Sequence, residues 1–200
     1  MKFFEFFNYL ISFFAKMKVF FFYRFFFGAV GHGVTIFKPL LIENPHRIFI
    51  GDSVLIRSGA RLEVVLTDKE NMPSLVIGSN VNIEQNVHII CGSRVSIGNN
   101  VSITGGVAIV DVHHPYDDVS SDVKIGNRIQ CIGNYIDIEN DVFIGYGAII
   151  LPNVKIGRNS VIGAYSVVNK DVPEFSVAVG NPAKVVKKYC FETNAWKKIK

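Results

Sequence analysis

Cysteine is scarce in this chain. Cys91, Cys131 and Cys190 are odd in number and far apart, and no CxxC pair occurs, which excludes a disulfide framework and a zinc knuckle and suits a reducing cytoplasm. Charge imbalance is also small: a formal net charge of +4 is weak for a nucleic-acid binder. No uncharged apolar stretch reaches the ~20 residues that a membrane-spanning helix needs. No small-residue cleavage site follows the apolar N-terminus, as a secretory signal requires. Disorder is excluded in turn, because 49% of the residues are hydrophobic and the mean hydropathy is +0.29.

What is abundant sits unevenly. Most of the 17 phenylalanines crowd into residues 1–27, with Lys2, Glu5, Lys16, Lys18 and Arg24 among them. The pairs Phe3-Phe4, Phe6-Phe7, Leu10-Ile11 and Phe13-Phe14 recur at helical spacing and predict one amphipathic helix. Two roles are open to it: capping the end of the main domain, or resting on a membrane surface as a peripheral contact. At the other end, Lys184, Lys187, Lys188, Lys197, Lys198 and Lys200 crowd against a lone Glu192. That run is either a solvated face or a docking surface for a phosphorylated ligand.

The strongest signal is a repeat. From residue 138 an apolar side chain returns every six positions: Ile138, Ile144, Ile150, Ile156, Ile162, Val168. A small or β-branched residue follows each by four, as at Val142, Ala148 and Val154. Neither the 3.6-residue period of an α-helix nor the plain alternation of a strand produces this. The same register runs upstream through Ile77, Ile83 and Ile89 and again through Ile97, Ile103 and Ile109, with a weaker copy from Ile50. Such hexads predict a parallel β-helix. Each hexad is a short strand and a turn, three hexads close one triangular coil, and the coils stack through parallel ladder hydrogen bonds.

The repeat breaks in three places. Ile89 and Ile97 are eight apart, so two residues bulge between Ile90 and Arg94. A polar excursion covers Asp68 to Ser74, and a longer one separates Ile109 from Ile138 and carries Asp111, His113, His114, Pro115, Asp117 and Asp118. Loops pushed out of a solenoid are frequent carriers of function.

The stretch Asp141-Val142-Phe143-Ile144-Gly145, continuing through Gly163-Ala164-Tyr165-Ser166 and Asn169-Lys170-Asp171-Val172-Pro173 to Gly180-Asn181-Pro182-Ala183-Lys184, closely resembles the hexapeptide-repeat acetyltransferase family. It is nearest to galactoside and maltose acetyltransferases and to polysaccharide O-acetyltransferases. The resemblance covers roughly residues 75–188. It implies a mainly β fold, a left-handed parallel β-helix of hexapeptide repeats with an N-terminal helical segment and a short C-terminal helix. The implied organisation is a Phe-rich helical segment at 1–30, a β-helix catalytic domain at 31–175 with a loop at 111–124, and a basic cap at 176–200. The left hand comes from the resemblance, since parallel crossovers are normally right-handed.

The resemblance also implies acetyl-CoA as acyl donor, a homotrimer with active sites in clefts between neighbouring prisms, and no required metal. The expected acceptor is a sugar hydroxyl in cell-surface polysaccharide or lipid-linked sugar synthesis. The expected location is the cytoplasm, with peripheral contact at the inner face of the membrane. The family's catalytic histidine matches His114, beside Pro115, with His113 the runner-up. Phe143, Gly145, Tyr146, Gly163, Ala164, Asn169, Lys170, Lys184 and Lys187 fall where the family contacts the cofactor. Phe143 stands where the family often has Trp, so it keeps an aromatic wall but loses an indole N–H. Glu84 and Asn86 lie in the acceptor region.

The chemistry agrees with such residues. A hydroxyl attacking a thioester wants a base that works near neutral pH, which histidine supplies. A carboxylate (Asp111, Asp117 or Asp118) or a backbone carbonyl is expected to fix the imidazole. His32, His46 and His88 read as structural. Three competing activities are weaker. A β-helical carbonic anhydrase needs a His-x4-His pair that the histidines do not form. An N-acyltransferase on an amino sugar leans less on a histidine base, and a non-catalytic scaffold predicts no CoA binding.

Overall fold

The computed structural model describes residues 3–67 and 72–199, so Lys2, Lys200 and positions 68–71 of the predicted polar excursion lie outside the described residues. The hexads form what their period demands. Three sheets of short strands run the length of the molecule. The first stacks 29–30, 48–50, 74–77, 94–97, 135–138 and 154–156; the second stacks 35–36, 55–56, 82–83, 102–103, 143–144 and 161–162; the third stacks 41–43, 61–64, 88–91, 108–110, 149–150 and 167–168. The pairing within these three stacks is parallel and in register, so the isoleucines form columns. Ile77 faces Ile97, Ile138 and Ile156 in turn, and Ile83 faces Ile103, Ile144 and Ile162. In the inner coils both inward positions of a hexad are fully buried, as with Val101 and Ile103, because residues two apart on a strand share a face.

The corners explain the polar punctuation. At the edge between the first and second sheets, Asn80, Asn100, Asp141 and Asn159 occupy the left-handed backbone region that Asn and Asp tolerate. Their neighbours form a ladder: Ser79 N–H donates to Asn99 Oδ1 at 2.7 Å, and Asn99 N–H donates to Asn140 Oδ1 at 2.7 Å. Each coil's corner amide is thereby satisfied by a side chain of the next coil.

Both ends of the stack are covered. Helix α1 (Phe3–Phe21) lays Ala15 and Val19 against the first coil at Thr35–Ile36. At the far end Ser176–Val179 pairs parallel with Val161–Ile162, and Lys184–Cys190 and Ala195–Lys198 add antiparallel strands. The expected short C-terminal helix does not form. The segment is rich in strand formers, and the exposed ladder of Ser176–Val179 offers hydrogen bonds that a detached helix would leave unmade. Tyr189 then meets Trp196 and Phe191 edge-on, with ring centroids 5.5 and 5.1 Å apart.

Candidate active site

The long interruption leaves the prism after Ala108–Val110, at the edge between the third and first sheets, and returns at Tyr135–Ile138. Its base is fastened by Asp111, which is fully buried. The Asp111 carboxylate accepts from the amides of Gly92 (2.5 Å), Ser93 (2.9 Å) and Arg94 (2.9 Å), and Asn134 Nδ2 donates to the Asp111 carbonyl at 2.7 Å. Gly92 and Ser93 are the two residues that break the six-residue step after Ile89, so one irregularity anchors the other. Burial pushes the Asp111 carboxyl above its ordinary range, and the three amides only partly offset it. The buried Cys91 thiol beside it is pushed up to about 12, by burial first and then by Asp111.

Within the loop the two histidines differ. His113 exchanges backbone hydrogen bonds with Gln130 in both directions, at 2.9 and 2.8 Å, and so pins the loop's two arms together. His114 Nδ1 lies 3.0 Å from the Arg128 carbonyl oxygen. A carbonyl only accepts, so Nδ1 carries a proton, and in the neutral imidazole the lone pair is on Nε2. None of the three candidate aspartates fills this place: Asp111 serves the loop base, Asp118 accepts from Ser120, and the partner of His114 is a backbone carbonyl. Arg128 holds itself in position by donating to the carbonyls of Val123 (2.8 Å), Asp118 (2.8 Å) and Ser121 (3.2 Å). The loop nevertheless leaves Tyr116, Val119, Val123, Ile125 and Ile132 exposed.

Most other candidate residues line a different edge, between the second and third sheets. Phe143 pairs with Val161, and the turns that follow stack as Gly145–Tyr146 on Gly163–Ala164. Tyr165 N–H donates to the Tyr146 carbonyl at 2.8 Å, and the two rings meet edge-on at 5.7 Å. A Cβ on Gly145 would stand 2.6 Å from Ala164 N, and one on Gly163 would stand 2.7 Å from Val179, so close coil approach itself demands these glycines. Glu84 and Asn86 lie on this same edge nearer the N-terminus, Glu84 Oε2 being 3.5 Å from Arg57 Nε. Lys184 and Lys187 pair with Val179 and Val177 in the layer that extends the second sheet, and both are exposed. Asn169 and Lys170 follow Val167–Val168 and belong to the edge that carries the histidine loop. The candidates therefore fall on two edges of one prism. Among the described residues no three His, Cys, Asp or Glu side chains converge as a metal ion requires.

The model of the family "Bacterial transferase hexapeptide (six repeats)" matches residues 135–170. The Escherichia coli protein WbbJ, named as a candidate lipopolysaccharide biosynthesis O-acetyl transferase, is 32% identical over 80% of this chain and 81% of its own. The chain belongs to the hexapeptide-repeat acetyltransferase family. A Saccharomyces cerevisiae chain named as a candidate acetyltransferase, YJL218W, is 41% identical over 58% of this chain and 56% of its own. Among solved structures, the Bacillus cereus N-acyltransferase AntD, in complex with dTDP and 3-hydroxybutyryl-CoA, superposes with a TM-score of 0.70 at 22% identity over 86% of this chain and 88% of its own. The coil of this acetyltransferase is accordingly the left-handed β-helix of its family.

Sequence reasoning does not reach Arg128 in this acetyltransferase. No repeat position or motif marks it, and its role comes from binding three main-chain carbonyls. Asp111 is read from the sequence as one of three candidates to hold the imidazole, whereas here it accepts from the amides of Gly92, Ser93 and Arg94. The signal that marks it is its place directly after the last strand residue, Val110, beside the two-residue bulge of the preceding coil.

Proposed function

We propose that the protein moves an acetyl group from acetyl-CoA to a sugar hydroxyl, with His114 as general base. The observation that carries this reading is the His114 Nδ1 contact with the Arg128 carbonyl, which leaves Nε2 as the proton acceptor. Nε2 takes the hydroxyl proton as the oxygen attacks the thioester carbonyl carbon, forming the C–O bond. A backbone N–H at the stacked turns stabilises the resulting oxyanion. Collapse breaks the C–S bond, and the departing thiolate recovers the proton from the imidazolium. No covalent enzyme intermediate is needed. The buried, high-pKa Cys91 is unsuited to forming one.

Acetyl-CoA lies along the edge of Phe143, Gly145, Tyr146, Gly163 and Ala164. Lys184 and Lys187 face its phosphates, and Asn169 and Lys170 meet it from a neighbouring protomer. Glu84 and Asn86 face the acceptor. Two observations support a homotrimer: the candidates divide between two edges of one prism, and the histidine loop exposes Val119, Val123 and Ile132 where nothing of its own chain covers them. A neighbour that brings its second–third edge to this loop completes the site and buries those side chains.

The relative WbbJ favours an oxygen acceptor and work on a cell-surface polysaccharide or a lipid-linked sugar. Such work takes place in the cytoplasm, at the inner face of the membrane. The test is CoA-thiol release from acetyl-CoA over a panel of sugars and nucleotide sugars, comparing wild type with His114→Ala. Acceptor-dependent release that falls by at least ~10²-fold in the variant supports the proposal. Release only with amino sugars, unchanged in the variant, means N-acylation. No CoA binding at all means a scaffold.

A further inference from the structure

Helix α1 buries only a narrow line of its surface. At 100° per residue, Ala15 and Val19 fall on one side, and the opposite side is apolar along its whole length. Phe6, Phe13 and Phe20 form one ridge and Phe7, Phe14 and Phe21 the next, with exposures between 45% at Phe13 and 65% at Phe14. Phe22, Phe25 and Phe26 prolong the surface past the helix end, each more than half exposed. A soluble protein does not leave such a patch uncovered without a partner.

Charge decides which partner. Lys16 and Lys18 project from either side of the ridges, Arg24 follows with its guanidinium 5.2 Å from the Phe20 ring centroid, and the helix carries a single acid, Glu5. Along the flank of the helix, beside the first coil, a groove of about 450 Å³ has apolar walls that include Phe13, Met17, Phe20 and Val34, with Lys16 and Arg24 also lining it. Apolar walls with cations beside them match the chain and phosphate of an anionic lipid. A second copy of the helix fits worse. Helix pairing wants a narrow seam flanked by opposite charges, whereas this apolar arc is broad and its flanking charges are alike. Among the described residues no helix is long and apolar enough to cross a membrane, which leaves an in-plane orientation.

We infer that α1 and the groove beside it are a docking surface for an anionic phospholipid bilayer. The phenylalanine ridges enter the acyl boundary, and Lys16, Lys18 and Arg24 meet the headgroups. This inference rests on the proposed work at the membrane face and names the surface that makes the contact. The prism then stands on the bilayer by its N-terminal end, with its long edges open to the aqueous side.

The test is co-sedimentation of the full chain with phosphatidylcholine vesicles, with and without phosphatidylglycerol. Wild type pellets with the phosphatidylglycerol vesicles and binds the neutral ones at least several-fold more weakly. The triple substitution Phe7→Ser/Phe14→Ser/Phe21→Ser lowers partitioning by at least about a hundredfold, since each ring withdrawn from lipid is worth on the order of a factor of ten. Its thermal melting stays at the wild-type value, because these side chains are exposed. Binding that survives the triple substitution, or is equal on both vesicle types, overturns the inference. So does a wild type that stays in the supernatant while light scattering shows the triple variant losing a higher oligomer, which would mean that the helix joins copies. CoA release with a soluble acceptor is followed in parallel. Its absence alongside intact vesicle binding removes the transferase proposal and leaves the docking surface standing.

Discussion

His114 Nδ1 and the main-chain oxygen of Arg128 are 3.0 Å apart, and the Arg128 side chain is fixed by three carbonyls of the same loop. The imidazole is thus oriented by a backbone atom, whose position depends on a guanidinium. Removing that guanidinium releases the carbonyl without touching the imidazole. Arg128→Ala is expected to lower kcat by roughly 10- to 100-fold while leaving KM for acetyl-CoA within about twofold. Arg128→Lys rescues little, because an ammonium cannot reproduce the fork. Steady-state kinetics with varied acetyl-CoA checks this, and a rise in KM equal to the fall in kcat/KM would assign Arg128 to binding instead.

Asp111 satisfies three amides at the corner of the preceding coil. Asp111→Ala leaves them without acceptors and is expected to cost at least about 3 kcal/mol in urea unfolding. The pH dependence has a definite sign. Burial raises the native pKa above the unfolded value, so the native state holds this proton more tightly. The stability that this group contributes is therefore complete below the ordinary carboxylate range and declines as pH rises through the native value. The gap between wild type and Asp111→Ala should narrow over that rise. A gap that widens would mean that the three amides outweigh burial.

Gly145 and Gly126 make a matched pair. A Cβ at Gly145 meets the backbone of the next coil, whereas one at Gly126 meets nothing within 4 Å. Gly145→Ala should cost about 1–3 kcal/mol through overpacking, and Gly126→Ala should stay within about 0.5 kcal/mol. Thermal unfolding of both variants decides it; equal effects would contradict the close approach of the coils.

The thiols should separate by reactivity. Cys190 is drawn down to about 7 by hydrogen bonding to Thr193, with a further contribution from Lys197, while Cys91 is buried and held near 12. Alkylation of the native protein by iodoacetamide should modify Cys190 first, with a rate that rises through pH 7 and levels off above it. Peptide mapping identifies the site. Labelling of Cys91 at a comparable rate would contradict its burial.

On the proposed function, Lys184 would meet the donor as a point charge. Lys184→Ala should raise KM for acetyl-CoA by about fivefold with kcat unchanged. The difference should shrink at high salt, where exposed charges are screened. A loss of kcat alone would move Lys184 away from the nucleotide end.

The coil itself was legible because its information is local and periodic. Ile138, Ile144, Ile150 and Ile156 announce three faces in six-residue steps, and the register follows once inward positions must stack on inward positions. The histidine loop was legible as a gap in that period, and His114 as a candidate through the residues around it. The C-terminal strands were not, since Lys184–Cys190 takes its conformation from a ladder edge at Ser176–Val179 that the sequence does not display. Arg128 and the anchoring role of Asp111 were not legible either: each acts on main-chain atoms, and which carbonyl or amide lies within hydrogen-bonding reach is a property of the folded loop. The division of the candidates between two edges belongs to the same class. By itself the sequence determined a hexapeptide coil with one protruding histidine loop, because hydrophobic period and turn chemistry act over a few residues. Only the tertiary structure decided what orients the histidine and which edge each candidate occupies, because those depend on distances between residues that the chain's periodicity leaves unrelated.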